Sequence, residues 1–229
     1  MINLYFDLDD AFFDFSGPFL KFVNNILGKQ HRFPEHIDTW SAQEFYGIDR
    51  KTMDALLDKY SEEGRFFIQP PLPGALRGLK MLYGSKMIPK VYSRPYFITA
   101  RQPVTLLHTL SQLQNTFKDL GFKNPADQFN LIMANNKYQL KWKIIKELNR
   151  FADGGIFIDD HPDYINDVTT HCPNTITIWF NRGYLNDSLS HPHYLVKSWE
   201  ELGELLLCNF DILIKNSNHK HVWEQLEIA

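Results

Sequence analysis

The sequence predicts an α/β fold, a Rossmann-like three-layer structure around a parallel sheet, with a small α-helical cap inserted after the first strand. Short apolar runs recur along the 229 residues, and segments of helical periodicity lie between them. Strands that alternate with helices are typical of parallel sheets covered on both faces. The cap is predicted because the first interval between strands is too long for one crossover helix.

The first predicted strand is INLYFDLD, residues 2–9, which is apolar nearly throughout and ends in polar residues. Further runs are YFIT at residues 96–99, GIFID at 155–159 and TITIWF at 175–180, with a weaker one, FNLIMA, at 129–134. The segments between them have the helical period. LKWKIIKELNRF, for example, is predicted to be a helix because apolar residues at spacings of four, four and three form one face: Leu140, Ile144, Leu148 and Phe151.

The predicted cap spans residues 16–71 and contains two helical pieces, GPFLKFVNNILGK and DRKTMDALLDKYSEE, with an aromatic-rich segment between them. The prolines of QPPLPGALRGLKMLYG stiffen the return to the sheet and precede a further helix. We therefore predict a core formed by residues 1–15 and 72–208. Residues 209–229 are predicted to be a C-terminal tail that packs on the core or extends it. Two prolines leave the structure of residues 85–95 open.

Composition and charge narrow the class of protein. The hydrophobic share of 44%, the charged share of 22% and the formal net charge of -3 are typical of a globular protein without a general affinity for nucleic acid or acidic membranes. No apolar run approaches the ~20 residues that span a bilayer, and no secretion signal precedes the first strand. We expect a soluble, cytoplasmic protein in which Cys172 and Cys208 are reduced, buried thiols rather than a disulfide.

Polar side chains capable of catalysis follow three of the predicted strands. They are Asp7 and Asp9 in FDLDD, Thr99 in FITAR, Asp159 and Asp160 in FIDDH, and Lys141 at the start of the preceding helix. Each pattern alone also fits a loop, a helix cap or a solvated lysine. Ligands of parallel α/β sheets bind outside the carboxyl ends of the strands, and buried carboxylates need partners. The order and placement of these residues therefore predict a site.

In these motifs and their order, the chain resembles the haloacid dehalogenase-like phosphohydrolase superfamily over about residues 1–206. Within that superfamily it is most similar to the 5'-nucleotidase family that includes the 5'(3')-deoxyribonucleotidases. The further cues are DFSGPFLKFVN, PPLPGALRGLKML, ITAR, FNRG and VKSWEEL. The resemblance implies a Mg²⁺-dependent phosphomonoesterase that dephosphorylates (deoxy)nucleoside monophosphates through an aspartyl-phosphate intermediate.

The resemblance also implies a role for each aspartate. Asp7 would be the nucleophile, and Asp9 would protonate the leaving oxygen and then take a proton from water. Asp160 would complete a Mg²⁺ site with the Asp7 carboxylate and the backbone carbonyl of Asp9, since oxygen ligands suit this ion. Asp159 would orient water on the metal, although the two roles of this pair could be exchanged.

Fixed cations and hydroxyl groups are expected at the site because a phosphate dianion repels an anionic nucleophile. The resemblance implies that Thr99 hydrogen-bonds a phosphoryl oxygen and that Lys141 neutralises it. Lys143 and Lys137 are rival candidates, but Lys141 precedes IIKEL, which is where the lysine of the family stands.

Substrate choice would come from the cap. Phe19, Trp40, Phe45 and Tyr46 are candidates to stack on a base, and Arg101 is a candidate to contact phosphate or sugar. It is equally open that the aromatic residues form the small helical core of the cap. We expect a small-molecule nucleotide as partner, without a membrane or extended nucleic acid, and leave a homodimer open.

One position departs from the family, which usually has glycine where this chain has Asp10. Aspartate tolerates unusual backbone angles, but its charge would weaken phosphate affinity unless the side chain points into solvent. The departure supports a second hypothesis, a catalytically weak member that binds a nucleotide or a protein. A third hypothesis is a phosphatase that acts on another small phosphomonoester or on a nucleic-acid 3'-phosphate end.

Four further polar residues are assigned to structure rather than catalysis. Asp14 and Asp163 are expected at the starts of helices. His191 and His193 have no third ligand at a recognisable spacing, which indicates a solvated loop rather than a metal site.

Overall fold

The computed structural model describes residues 2–30, 47–84, 93–134, 140–182, 186 and 190–208. The strands in this part of the chain are β1 (Asn3–Phe6), β2 (Tyr96–Thr99), β3 (Asn130–Met133), β4 (Gly155–Asp159), β5 (Thr175–Phe180) and β6 (Tyr194–Val196). They form one sheet in the order β3-β2-β1-β4-β5-β6, in which every neighbouring pair is parallel. The predicted parallel α/β sheet is confirmed.

Helices connect the strands. Those described are α1 (Ser16–Leu27), α2 (Arg50–Glu62), α3 (Ala75–Gly84), α4 (Leu106–Asp119), α5 (Lys141–Leu148), α6 (Pro162–His171) and α7 (Trp199–Cys208). None of these helices has the length and apolar character needed to cross a bilayer.

The sheet is the middle of three layers because its strands are apolar on both faces. Every residue of β1, β4 and β5 is buried. On one face Phe6 packs in a cluster with Leu79 of α3 and Trp199 of α7. On the other face Tyr5 belongs to a cluster with Ile165 of α6. Neighbouring residues of one strand thus serve opposite layers, as the period of two requires.

Two helices after β1 form a separate apolar cluster at the predicted place of the cap. Phe19 of α1, Tyr60 of α2 and Phe66 of the following 3-10 turn (Arg65–Ile68) pack there with other aromatic and aliphatic side chains. A contact also joins this unit to the loop after β2, since Gln102 Nε2 donates to Asp58 Oδ1 at 2.7 Å. The division at residues 16 and 71 stays a prediction.

Some elements differ from the sequence-based expectation. The helix predicted through Phe151 ends at Leu148, and the 3-10 turn Asn149–Phe151 follows it. Because that turn winds more tightly, Phe151 leaves the apolar face and is 93% exposed. The three-residue β6 was not predicted, since YLV is too short to show a period. Residues 85–92 and the tail 209–229 lie outside the described part of the chain.

The thiol of Cys172 is free and buried, as expected. Burial raises its pKa to about 11, so the thiol is protonated and unreactive at neutral pH. The side chain of Cys208 lies outside the described residues.

Candidate active site

The candidate site lies where three neighbouring strands end. β1 lies between β2 and β4, and Asp7 directly follows it, with its backbone N–H donating to Ile158 O of β4 at 2.9 Å. Thr99 is the last residue of β2, Asp159 is the last residue of β4, and Asp160 follows it. The topology therefore brings these polar residues from three chain segments to one edge of the sheet.

Lys141 is buried between two of the carboxylates. Its Nζ donates to Asp7 Oδ1 at 2.5 Å and to Asp159 Oδ2 at 2.6 Å, and the residue is 2% exposed. The ammonium also lies 4.3 Å from the centroid of the Tyr164 ring. Lys141 begins α5, an end of the helix that disfavours a cation. The carboxylates and the ring, rather than the helix dipole, hold this charge in place.

The charges of this group shift the pKa values of its members. Burial, aided by the Asp159 and Asp9 carboxylates and opposed by Lys141, raises the pKa of Asp7 to about 7. Burial and three neighbouring carboxylates raise the pKa of Asp160 well above its ordinary value. The pKa of Lys141 is lowered by burial, but Asp159 and Asp7 outweigh that effect and raise it. One ammonium thus faces three crowded carboxylates, and a further cation would stabilise their ionised forms.

The donor set fits a divalent metal ion. One carboxylate oxygen each from Asp7, Asp159 and Asp160 lies within 4.8 Å of the other two, and hard cations prefer such oxygen ligands. Backbone contacts hold the segment, because Trp179 Nε1 donates to Asp160 O at 2.8 Å and His161 N–H donates to Asp159 Oδ1 at 2.9 Å. This donor set supports the prediction of a divalent metal site.

Asp9 lies beside this group and is paired with Arg101. The guanidinium donates through Nη2 to Asp9 Oδ1 at 2.7 Å and through Nε to Asp9 Oδ2 at 2.9 Å. The Asp9 side chain keeps 23% of its surface exposed. The backbone N–H of Arg101 donates to the buried hydroxyl oxygen of Thr99 at 3.2 Å. Arg101 thus connects the ends of β1 and β2.

Of the three candidate lysines, the structure places Lys141 with the carboxylates. Lys143 is exposed, and its Nζ lies 5.5 Å from the centroid of the Trp142 ring. Lys137 lies outside the described residues.

Asp10 adopts the left-handed conformation, with φ of 59°, that its place in the turn requires. Of the two alternatives for Asp10, the one in which its side chain points into solvent is wrong, since the residue is 2% exposed. Its carboxylate accepts from the backbone N–H of Phe15 at 3.2 Å, from the N–H and the hydroxyl of Ser16, and from Arg182 Nη1 at 2.6 Å. The start of α1 and a guanidinium therefore draw it inward.

Asp14 and Asp163 lie at helix starts, as predicted. Asp14 Oδ1 accepts from Gly17 N–H at 3.4 Å and from Arg182 Nη1 at 3.0 Å. Asp163 lies in the first turn of α6, and its N–H donates to Nδ1 of His161 at 3.2 Å.

The two histidines of the HPH run differ. His191 is exposed, as expected of a solvated loop. The expectation is wrong for His193, which is half-buried and accepts from Thr177 N–H at 3.1 Å through Nδ1. Burial lowers the pKa of His193, so this ring supports the edge of the sheet as a neutral acceptor.

The predicted base-stacking residues are separated by the fold. Phe19 is 1% exposed and stacks on Phe15 within the apolar cluster of α1 and α2, which fits the interpretation that these aromatic residues form a core. Trp40, Phe45 and Tyr46 lie outside the described residues.

A cavity of about 190 Å³ opens between the end of β2 and the helices that follow β1. It is lined by Asp9, Arg101, Ala100, Gln102, Phe15, Leu57 and Phe66. Cavities of about 150 Å³ hold a benzene ring, so the space accepts a group of that size next to the Asp9 carboxylate.

Several residues at the site were missed by reasoning from the sequence. Arg182 follows β5 and lies in the FNRG run that contributes to the resemblance, so a signal for it was available. Gln69 and Gln112, which contact Arg101, lie in segments whose patterns indicate only linker and helix. Nothing in the sequence distinguishes these two glutamines from solvated ones.

The sequence matches no protein-family model and no curated protein. The structure, however, is similar to solved hydrolases. A haloacid dehalogenase-like family hydrolase from Streptococcus pneumoniae aligns with a TM-score of 0.59 at 15% identity, over 92% of this chain and 98% of that chain. The phosphonoacetaldehyde hydrolase-like protein from Oleispira antarctica gives 0.58 at 11%, over 96% and 95%. The HAD-hydrolase YfnB from Bacillus subtilis, bound to magnesium, gives 0.56 at 16%, over 90% and 98%.

These likenesses define the class of fold. The chain has the haloacid dehalogenase-like α/β fold, as predicted, and its buried aspartate group lies at the carboxyl edge of the parallel sheet.

Proposed function

We propose that the protein is a Mg²⁺-dependent phosphomonoesterase, most similar to the 5'-nucleotidases, that releases phosphate from (deoxy)nucleoside monophosphates. The observation that carries the proposal is the environment of Asp7. This carboxylate is buried at the end of a central strand, is bonded to Lys141, and shares a divalent-metal donor set with Asp159 and Asp160. The magnesium bound to YfnB, which has the same fold, supports this choice of ion.

Asp7 is proposed as the nucleophile. Its carboxylate oxygen attacks phosphorus, and the bond between phosphorus and the leaving oxygen breaks to give an aspartyl-phosphate. The Lys141 ammonium, 2.5 Å from Asp7 Oδ1, opposes the effect of burial on the Asp7 pKa and favours the ionised form that attacks. Lys141 keeps a positive charge beside it and neutralises a phosphoryl oxygen, while the Thr99 hydroxyl donates to another.

Asp9 is proposed to move the protons. It donates a proton to the leaving oxygen in the first step and takes one from water in the second, when water attacks the phosphorus of the intermediate and releases Asp7. The partial exposure of Asp9 toward the cavity supports this role, because a leaving group there is within its reach.

The residues that would hold Mg²⁺ are the carboxylates of Asp7 and Asp160 and the backbone carbonyl of Asp9. When bound, the ion would neutralise charge on the phosphoryl oxygens. Both oxygens of Asp159 accept from protein donors, His161 N–H and Lys141 Nζ. That engagement supports a role for Asp159 in orientation rather than as a principal ligand.

A small substrate is favoured over a polynucleotide. The cavity beside Asp9 has the volume of a single ring, and three apolar side chains, Phe15, Leu57 and Phe66, line it. A net charge of -3 gives no general attraction for a nucleic-acid backbone. We therefore propose a small-molecule nucleotide as the partner. The cytoplasm, as expected from the sequence, is the proposed compartment.

The second candidate, a catalytically weak binding protein, was suggested by the charge of Asp10. That charge is stabilised by Arg182 and by the start of α1, so a phosphate would meet an ion pair rather than a lone carboxylate. The pairing of Asp10 therefore weakens the argument for a catalytically weak binding protein.

A phosphate-release screen tests the proposal. It covers nucleoside 5'- and 3'-monophosphates, sugar phosphates and an oligonucleotide 3'-phosphate, with Mg²⁺ and with a chelator. We expect phosphate release from nucleoside monophosphates only when Mg²⁺ is present and the chelator is not. Phosphate release from sugar phosphates only would change the proposed substrate class to sugar phosphates. No release from any compound would favour the binding protein.

A further inference from the structure

Every N–H group of the Arg101 guanidinium has an acceptor. Nε donates to the Asp9 carboxylate at 2.9 Å, and Nη2 donates to Asp9 Oδ1 at 2.7 Å and to Gln69 Oε1 at 2.6 Å. Nη1 donates to Thr109 Oγ1 at 3.2 Å and to Gln112 Oε1 at 2.9 Å. A guanidinium has five N–H donors, and these contacts occupy all of them.

The surroundings of the guanidinium are fixed as well. Gln112 Nε2 donates to the backbone oxygen of Gln69 at 2.9 Å, which connects α4 to the segment that returns from the predicted cap. The guanidinium lies 4.8 Å from the ring centroid of Phe66 and 5.8 Å from that of Phe13. With 1% of the side chain exposed, a ligand could reach the cation only by displacing a protein acceptor.

We propose that Arg101 is a positioning residue that fixes the Asp9 carboxylate for proton transfer, and that it does not itself bind the substrate phosphate. The inference rests on the proposed function, which gives Asp9 its role as acid and base. Asp9 Oδ1 accepts from both Nη2 and Nε, whereas Oδ2 accepts from Nε alone among the described residues. Oδ2 therefore keeps an acceptor position and is the oxygen that exchanges the proton.

Two substrates distinguish this role from a phosphate contact. A nucleoside 5'-monophosphate expels an alkoxide that needs a proton, whereas p-nitrophenyl phosphate expels a stabilised anion that does not. For Arg101→Gln we expect the rate of phosphoryl transfer from the nucleotide to Asp7, measured in a single turnover, to fall about a hundredfold, because a misplaced acid loses most of its effect. With p-nitrophenyl phosphate we expect the rate of this first step, measured as the burst of p-nitrophenolate, to fall less than about threefold, and the half-saturating concentration of both substrates to stay within about twofold. The second step, in which Asp9 takes a proton from water, is common to both substrates, so the first step is the one that separates the two roles.

Three variants complete the comparison. Asp9→Asn should show the same dependence on the leaving group. Arg101→Lys should not restore activity, because an ammonium cannot reproduce the two-point contact or the other three bonds. Arg150→Gln removes an arginine from an exposed ion pair with Glu147 and should match the wild type.

Two kinetic results would overturn the proposal. An increase in KM for both substrates at unchanged kcat would mean that Arg101 contacts the phosphate. An equal fall in the rate of the first step for both substrates would mean that its loss disturbs the site as a whole.

A double-mutant cycle tests the pair without turnover. Urea unfolding of Asp9→Asn, Arg101→Gln and the double variant should show coupling of about tenfold in the unfolding equilibrium constant, because either single change strands a charged or polar partner. Additive effects would show that the pair does not form in solution and would overturn the proposal. If the cycle shows coupling but the wild-type protein releases no phosphate, the proposed function is refuted, and the proton-transfer role is refuted with it. The pair between Asp9 and Arg101 would still stand.

Discussion

At the scale of single residues, Asp10 shows how a substitution can be absorbed by its surroundings. A glycine would satisfy the left-handed turn at no cost, whereas aspartate brings a charge into a buried place. Its carboxylate accepts hydrogen bonds from the backbone N–H groups at the start of α1 and from Arg182. Burial nevertheless outweighs these contacts and raises the pKa of Asp10 to about 6.

This shift predicts how the stability of Asp10 variants depends on pH. Between about pH 4 and pH 6 the folded protein keeps a proton on Asp10 that the unfolded chain has lost, so the contribution of this group falls as the pH rises through that window. Asp10→Asn does not titrate and tolerates the positive φ. Its free energy of unfolding, measured in urea without metal, should therefore rise relative to the wild type between about pH 4 and pH 7.

The control for this prediction is Asp10→Ala. It removes the same titration but adds strain of roughly 1–2 kcal/mol, because alanine disfavours the left-handed region. It should follow the pH trend of Asp10→Asn at a lower stability. A pH-independent difference between Asp10→Asn and the wild type would show that the Asp10 pKa is not raised.

At the scale of elements, the contact between α3 and α7 supports the loop that carries Asp9 and Asp10. Trp199 of α7 is buried, packs 5.7 Å from the Phe6 ring between centroids, and donates through Nε1 to Ala11 O at 2.9 Å. Its indole is therefore fixed on both sides. Gly78 of α3 faces it, because a side chain there would meet the indole.

Gly78→Ala should destabilise the protein. The added Cβ would lie 2.7 Å from Trp199 Cε3, and overpacking of this kind costs about 1–3 kcal/mol, which exceeds the helix propensity that alanine gains. Gly203→Ala in α7 is the matched control. Within the described part of the chain, its new Cβ would meet no heavy atom within 4 Å beyond its own helix backbone and chain neighbours, so it should stabilise by up to about 1 kcal/mol. Thermal or urea unfolding of both variants measures the difference, and equal effects would contradict this packing.

The elements also show what the sequence can and cannot predict. The parallel sheet and the arrival of Asp7, Thr99 and Asp160 at one edge were predictable, because strand periodicity and the rule for parallel sheets depend on local pattern. The partners of Arg101 were not, since Gln69 and Gln112 come from separate segments whose local patterns carry no information about that contact. The inward turn of Asp10 likewise depends on Arg182, 172 residues away.

At the scale of the whole molecule, the fold concentrates negative charge at one edge of an otherwise apolar sheet. Among the described residues, the carboxylates of Asp7, Asp159 and Asp160 lie close together there, and the buried Lys141 ammonium bonds to two of them, while the net charge of the chain is only -3. Such a site is costly to fold without a cation. A catalytic role for these charges would explain that cost. The three layers of the fold together hold the Asp7 carboxylate against the Lys141 ammonium.

Transfer of phosphate to Asp7 is the step on which this interpretation depends. Wild-type protein with Mg²⁺ is mixed with a radiolabelled nucleoside monophosphate and quenched in acid, and the labelled peptide is identified. We expect the label on Asp7 in the wild type, and neither label nor phosphate release in Asp7→Asn, which should fold normally. Phosphate release at the wild-type rate by Asp7→Asn, or wild-type turnover that never labels Asp7, would show that Asp7 is not the nucleophile.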